Sequence, residues 1–160
     1  MSSLLVAATI GAIVGSALIG GIFFAFSNFI MKALERMPPS EGMLAMQTIN
    51  VTVLNRWFLG AFMGTAVISL IVAAMSIADW ESAHSPYLLG GAVAYIGGTW
   101  LVTGIGNVPL NNKLAVVTPG EPESSEVWEH YLKHWTKLNS QRTGSALLAA
   151  VLFIIGLIYA

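Results

Sequence analysis

The stretch WFLGAFMGTAVISLIVAAMSIA, Trp57 to Ala78, carries no ionisable side chain between Arg56 and Asp79. A helix rises 1.5 Å per residue, so a run of this length crosses a hydrocarbon core of ~30 Å and predicts a transmembrane span. Three further segments read the same way: about Leu4 to Asn28, Pro86 to Gly106 and Thr143 to Ala160. The last is short by itself. A helical pattern from about Ser125 extends it through residues 125–142 as one long helix, provided that Asn139 and Arg142 are buried against protein. The expectation is an all-α, polytopic four-helix membrane bundle, a single domain over residues 1–160, with a short interfacial helix on the cytoplasmic side between the first two spans. The N-terminal run stays uncharged for about 25 residues without a basic n-region, so it reads as a retained span and not a signal peptide.

Composition agrees: 56% of the 160 residues are apolar and 9% charged, with a mean hydropathy of +0.74. These values set aside an ordinary soluble domain and a nucleic-acid binder. Cysteine is absent, which removes disulfides, thiolate metal sites and cysteine nucleophiles. Every Lys and Arg falls in the first connection (Lys32, Arg36, Arg56) or in the third (Lys113, Lys133, Lys137, Arg142). The positive-inside rule then places both connections in the cytoplasm and both termini outside, in a plasma (inner) membrane. Small residues recur four apart at Gly11 and Gly15, Ser16 and Gly20, Gly60 and Gly64, and Gly90, Ala94 and Gly98. Such stripes suit close helix packing within the chain or a homo-oligomer seam.

Polar side chains gather at one end of the spans. Asn28 closes the first, Asn55 precedes the second, Asn107 and Asn111 end the third, and Asn139 and Arg142 open the fourth. A single Asn there is ordinarily a cap or turn former. Four helices converging give a second reading, in which carboxamides and a permanent five-donor cation hold an enolate or phenolate oxygen. The same set also suits a satisfied structural network. On a helical wheel Trp128, Tyr131, Leu132, Trp135, Leu138, Asn139 and Arg142 share one face, with Glu129, Lys133 and Lys137 opposite as a solvated, salt-bridged face. His130 and His134, with Glu126 a turn earlier, have the spacing of a divalent-metal site, although surface histidines are the plainer reading. His134 adjoins Trp135 and is the better proton acceptor. Gly42 to Asn55 carries Met43, Leu44, Met46, Ile49, Val53 and Leu54, which predicts the short interfacial helix. It either caps the bundle or offers a methionine-rich surface to an apolar ligand.

The run Phe23-Phe24-Ala25-Phe26-Ser27, Met31-x-Ala33-Leu34, Met46-Gln47-x-Ile49-Asn50, Asn107-x-Pro109-Leu110-Asn111 and Trp135-x-x-x-Asn139-x-x-Arg142 resembles the anthrone-oxygenase-like family of small four-helix membrane proteins, over about residues 20–143. Most relatives in that family have no assigned function. The resemblance implies a membrane oxygenase or oxidoreductase that oxidises a lipophilic, anthrone-like aromatic with molecular oxygen and no metal or flavin. It carries Asn50, Asn107, Asn111, Trp135, Asn139 and Arg142 over as family-like positions. The implied chemistry assigns His134 as base, Arg142 with Asn107 and Asn139 as oxyanion donors, and Trp135 and Phe24 as ring contacts, with Asn28, Asn50 and Asn111 lining the substrate. No cofactor is expected, the alternatives being a haem or a divalent metal on His130 and His134. The expected partners are the lipid bilayer and a lipophilic small molecule. The competing expectation is a non-catalytic membrane protein that binds a lipid, quinone, haem or partner subunit.

Overall fold

The computed structural model describes all residues, 1–160, and is helical throughout. Helix α1 spans Ser3–Glu35, α2 Pro39–Thr52, α3 Arg56–Ala78, α4 Ser85–Ala115 and α5 Ser124–Ile158. Four of these, α1, α3, α4 and α5, are long and apolar enough to cross a membrane, and exposed Leu18, Val67, Ile105 and Val151 turn outward from them as lipid contact requires. The chain is a multi-pass membrane protein.

Local signals set the helix starts. Ser2 Oγ accepts from the Leu5 amide at the head of α1, and Asn55 Oδ1 accepts from the amides of Trp57 and Phe58 at the head of α3, each satisfying donors that have no partner within the helix. Asn55 is therefore a cap. Pro39 opens α2 three residues before the expected Gly42, because a proline ring already holds the φ of a first helical turn. Helices α1 and α4 both run further than expected, to Glu35 and Ala115. In α4 the π-helical turn Thr103–Asn107 ends two residues before Pro109 and opens the backbone register where a proline would otherwise clash, so the helix continues beyond Gly106.

Helix α5 is the pillar. At 35 residues it is about 52 Å long, well beyond the hydrocarbon thickness, so one end stands clear of the membrane core. Two apolar layers form along it. The larger joins Leu5, Ile19, Phe62, Tyr95, Leu88 and Phe153 between the four spans. The smaller joins Met31, Leu34, Met43, Met46, Leu114, Trp128, Tyr131 and Trp135, so α2 caps the bundle with a buried methionine face. This packing puts both basic connections at the same end. Gly42 permits it, since a Cβ there would stand 2.6 Å from the Leu34 carbonyl oxygen and 3.1 Å from Trp128 Cζ2.

The small-residue stripes divide. A Cβ on Gly15 would strike Thr65 and one on Gly98 would strike Ser145, so these hold helices together. Gly60 and Gly64 have nothing within 4 Å and take no part in packing the chain. The face bearing Glu129, Lys133 and Lys137 is solvated but not salt-bridged: the one ion contact within 4.0 Å is His84 Nε2 to Asp79 Oδ2, 3.5 Å, at the other end. Long flexible stems and full solvation leave little to gain from pairing there.

Candidate functional site

Asn139 and Arg142 meet the burial condition on which the long fourth helix depended, at 0% and 4% exposure. Between α1, α2, α3, α4 and α5 lies a cavity of about 310 Å³, lined mainly by apolar and aromatic side chains, among them Phe23, Phe26, Met46, Ile49, Phe58 and Trp135. Arg142 forms its polar base. Nη1 donates to Thr103 Oγ1 at 3.0 Å and Nη2 to Asn139 Oδ1 at 2.7 Å, while Nε has no partner. The guanidinium carbon lies 4.0 Å from the Phe23 ring centroid and 5.3 Å from that of Trp135. No carboxylate stands within 4.0 Å. A buried cation without a counter-anion is costly, and its place in the lining of the cavity suits the site to negative charge.

The surrounding amides have forced orientations. Asn139 Nδ2 donates to the Phe23 carbonyl and to Ser27 Oγ, both at 2.7 Å, so each of its N–H bonds is used and its oxygen is left for Arg142. Asn139 thus orients the guanidinium and has no donor free for a ligand. Asn111 Oδ1 accepts from Trp135 Nε1 and from the Tyr131 hydroxyl, both at 2.8 Å, leaving its NH2 unused at the cavity wall. Asn50 Nδ2 donates to the Tyr131 oxygen at 3.2 Å. Gln47 Nε2 donates to the carbonyls of Leu114 and Val117 at 2.8 and 2.9 Å, clasping α2 onto the end of α4.

Three π-helical turns supply part of this network. Ser27 lies in Phe26–Ile30, Thr99 in Ala94–Leu101, and Thr103 and Asn107 in Thr103–Asn107. Each wide turn inserts a residue and re-aims the side chains that follow, which is how Thr99 Oγ1 reaches the Arg142 carbonyl at 3.2 Å and Thr103 reaches its side chain.

Of the residues singled out from the sequence, Arg142, Trp135, Asn50 and Asn111 line the cavity. Asn107, 1% exposed, lies behind it with Nδ2 donating to the Trp135 carbonyl at 3.2 Å and Oδ1 unpartnered. Asn139 supports Arg142 from behind, and the other three stand apart. Phe24 is 52% exposed and Asn28 is exposed as well, because one residue of helix turns a side chain by about 100° and it is Phe23 and Phe26 that face inward. His134 is exposed on α5 and does not line the cavity, its Nδ1 2.9 Å from the His130 carbonyl and its ring stacked on His130 at 3.9 Å. No three His, Asp or Glu side chains gather around that pair or elsewhere. Phe23, Phe26, Gln47, Thr103 and Tyr131 were not singled out as site residues. Tyr131 shared the wheel face of Arg142, and Gln47 stood in the quoted block, but Thr103 gave no signal because its approach depends on the π turns.

A polytopic four-helix bundle holding a buried, unpaired arginine beneath an aromatic cavity is the class of protein that fold and site define. A family model described as anthrone oxygenase matches residues 54–152, more than half of the chain, and the chain belongs to that family. The match takes in Thr103, Asn107, Asn111, Trp135, Asn139 and Arg142, whereas α1 and α2, which supply Phe23, Phe26, Gln47 and Asn50, precede it. No curated protein and no solved structure matches the chain.

Proposed function

We propose that this protein is a membrane oxygenase that takes a flat, lipophilic aromatic ketone with an acidic methylene into the cavity and oxidises that methylene with molecular oxygen. The observation that carries this reading is Arg142, buried without a counter-anion and with Nε unpartnered, at the base of an aromatic cavity. Family membership gives the same direction, an oxygenase-like role.

The chemistry follows from charge. Loss of a methylene proton gives an enolate whose negative charge rests on the carbonyl oxygen, and a fixed guanidinium favours that anion over the neutral ketone. Phe23, Phe26, Phe58 and Trp135 offer ring faces to the flat ligand and exclude water from it. The enolate passes one electron to O2, and the resulting radical and superoxide join as a C–O bond. Protonation gives a hydroperoxide, which loses the second methylene proton with hydroxide as water to leave a ketone. The sum is CH2 + O2 → C=O + H2O. No His, Asp or Glu lines the cavity, so the first proton leaves to water at the mouth, and Arg142 acts by making the substrate's methylene more acidic. His134 has no part in this scheme.

The test uses anthrone as probe, with detergent-purified protein, following oxygen uptake and quinone absorbance together. Catalysed uptake of one O2 per quinone, lost in Arg142→Gln, supports the reading. Quinone formation no faster than in buffer overturns catalysis. The absence of a base from the cavity favours one second reading, a carrier of aromatic anions, and saturable binding of the probe without oxygen uptake would establish it.

A further inference from the structure

A second concavity, of about 420 Å³, lies on the α1–α5 face, and its chemistry changes in a fixed order along the helices. Nearest the membrane core its floor is hydroxylic, with Ser27 and Ser140. About one to two turns further out, with Thr136 among them, stand three ammonium groups, Lys32, Lys133 and Lys137, all exposed and none within 4.0 Å of a carboxylate. At the rim beyond them are two carboxylates, Glu35 and Glu129. In the other direction, toward the membrane core, the seam between the helices turns apolar: Ser140 Oγ lies 2.9 Å from Ser27 Oγ, and seven residues along each helix Leu147 closes over Gly20, where a Cβ would meet it at 3.0 Å. Phe24 and Leu147, 52% and 43% exposed, border that stretch, and Gly144 beside them has nothing within 4 Å.

Acyl-facing apolar seam, then hydroxyls, then cations, then anions is the complement of one kind of molecule. A phospholipid presents acyl chains, ester oxygens and a phosphate in that order, and only an amine-bearing headgroup adds a terminal cation with N–H donors. We infer that this groove binds an aminophospholipid of the phosphatidylethanolamine type from the adjoining leaflet. The phosphate lies among Lys32, Lys133 and Lys137, and the ammonium lies between Glu35 and Glu129. The carboxylates decide the headgroup. A plain anionic lipid would leave Glu35 and Glu129 facing its negative charge, and a choline headgroup has no N–H to donate to them. The lysine stems reach the interface while their ammonium groups remain hydrated, as snorkelling side chains do. The site is distinct from the cavity but shares a wall with it, since Ser27 in the groove floor accepts from Asn139, which holds Arg142.

Native mass spectrometry of the detergent-purified full chain with defined lipids tests this. Phosphatidylethanolamine should be retained in preference to phosphatidylglycerol and phosphatidylcholine of the same acyl chains. Each of Lys32→Gln, Lys133→Gln and Lys137→Gln should weaken retention about fivefold, and Glu35→Gln with Glu129→Gln should abolish the preference over phosphatidylglycerol while leaving binding itself. All five side chains are exposed, so the variants keep the fold, which helical circular dichroism and elution volume verify. Equal or stronger retention of phosphatidylglycerol by the unaltered protein would overturn the headgroup assignment. A triple lysine variant that holds phosphatidylethanolamine as the parent does would overturn the site. Displacement of the lipid by soluble phosphoethanolamine at comparable concentration would show that the groove reads a free phosphoamine and not a lipid.

Discussion

Replacing Arg142 with methionine keeps much of the side-chain volume and removes the charge, and the surroundings allow the two consequences to be separated. For stability the effects oppose one another. Methionine relieves the burial of a cation that has no counter-anion, a kind of exchange that is neutral to stabilising by about 1–4 kcal/mol for buried ion pairs. Against this, Asn139 Oδ1 loses the donor that now reaches it at 2.7 Å, at about 1–3 kcal/mol for one unsatisfied group, while Thr103 Oγ1 still donates to the Thr99 carbonyl at 2.7 Å. The net is within about 2–3 kcal/mol, so the variant should purify as a folded bundle with a melting temperature within roughly 10 °C of the parent. For an anionic ligand nothing offsets the loss. Truncating one member of a buried, charge-assisted contact costs about 2–5 kcal/mol, which is roughly 30-fold to several-thousandfold in affinity. Binding of an aromatic enolate or phenolate probe, titrated by fluorescence in nanodiscs at a pH where the probe is ionised, reads that number. A neutral probe of the same shape should lose far less. Arg142→Met protein that binds the anion as tightly as the parent refutes the cavity's role, and a variant that cannot be recovered folded shows Arg142 to be a strut.

Phe23→Ala should destabilise by about 3–5 kcal/mol and weaken ring binding, since Phe23 is 4% exposed beneath Arg142, whereas Phe24→Ala, 52% exposed, should stay within about 0.5 kcal/mol in thermal unfolding. His134→Gln should leave the oxidation rate and its pH profile unchanged, because the imidazole lies outside the cavity, and a loss of rate would restore it as the base. Gly42→Ala should lift α2 from Leu34 and Trp128, lowering stability by about 1–3 kcal/mol and loosening the cavity wall that Met46 and Gln47 form, measurable as a drop in both melting temperature and probe affinity.

Sequence alone determined the four spans, their sidedness relative to one another and the arginine at the centre. Those features follow from one-dimensional facts: uncharged runs of membrane-spanning length, basic residues confined to alternate connections, and the periodicity that sets Trp135, Asn139 and Arg142 on one helix face. The lined cavity was partly legible, since Asn50, Asn111, Trp135 and Arg142 all stood among the family-like positions. What only tertiary structure decided was phase and donor count. The π turns shift registers that an ideal 3.6-residue wheel cannot follow, so Thr103 and Ser27 face α5. A single residue of rotation exchanges Phe24 for Phe23, and the side of α5 not covered by α1, α2 or α4 leaves His134 in solvent. Asn139 changes from prospective ligand donor to fixed support because both of its N–H bonds are used by α1. Which groups remain unpaired is set by three-dimensional neighbours, and the buried guanidinium of Arg142 without a counter-anion is the feature on which the proposed function rests.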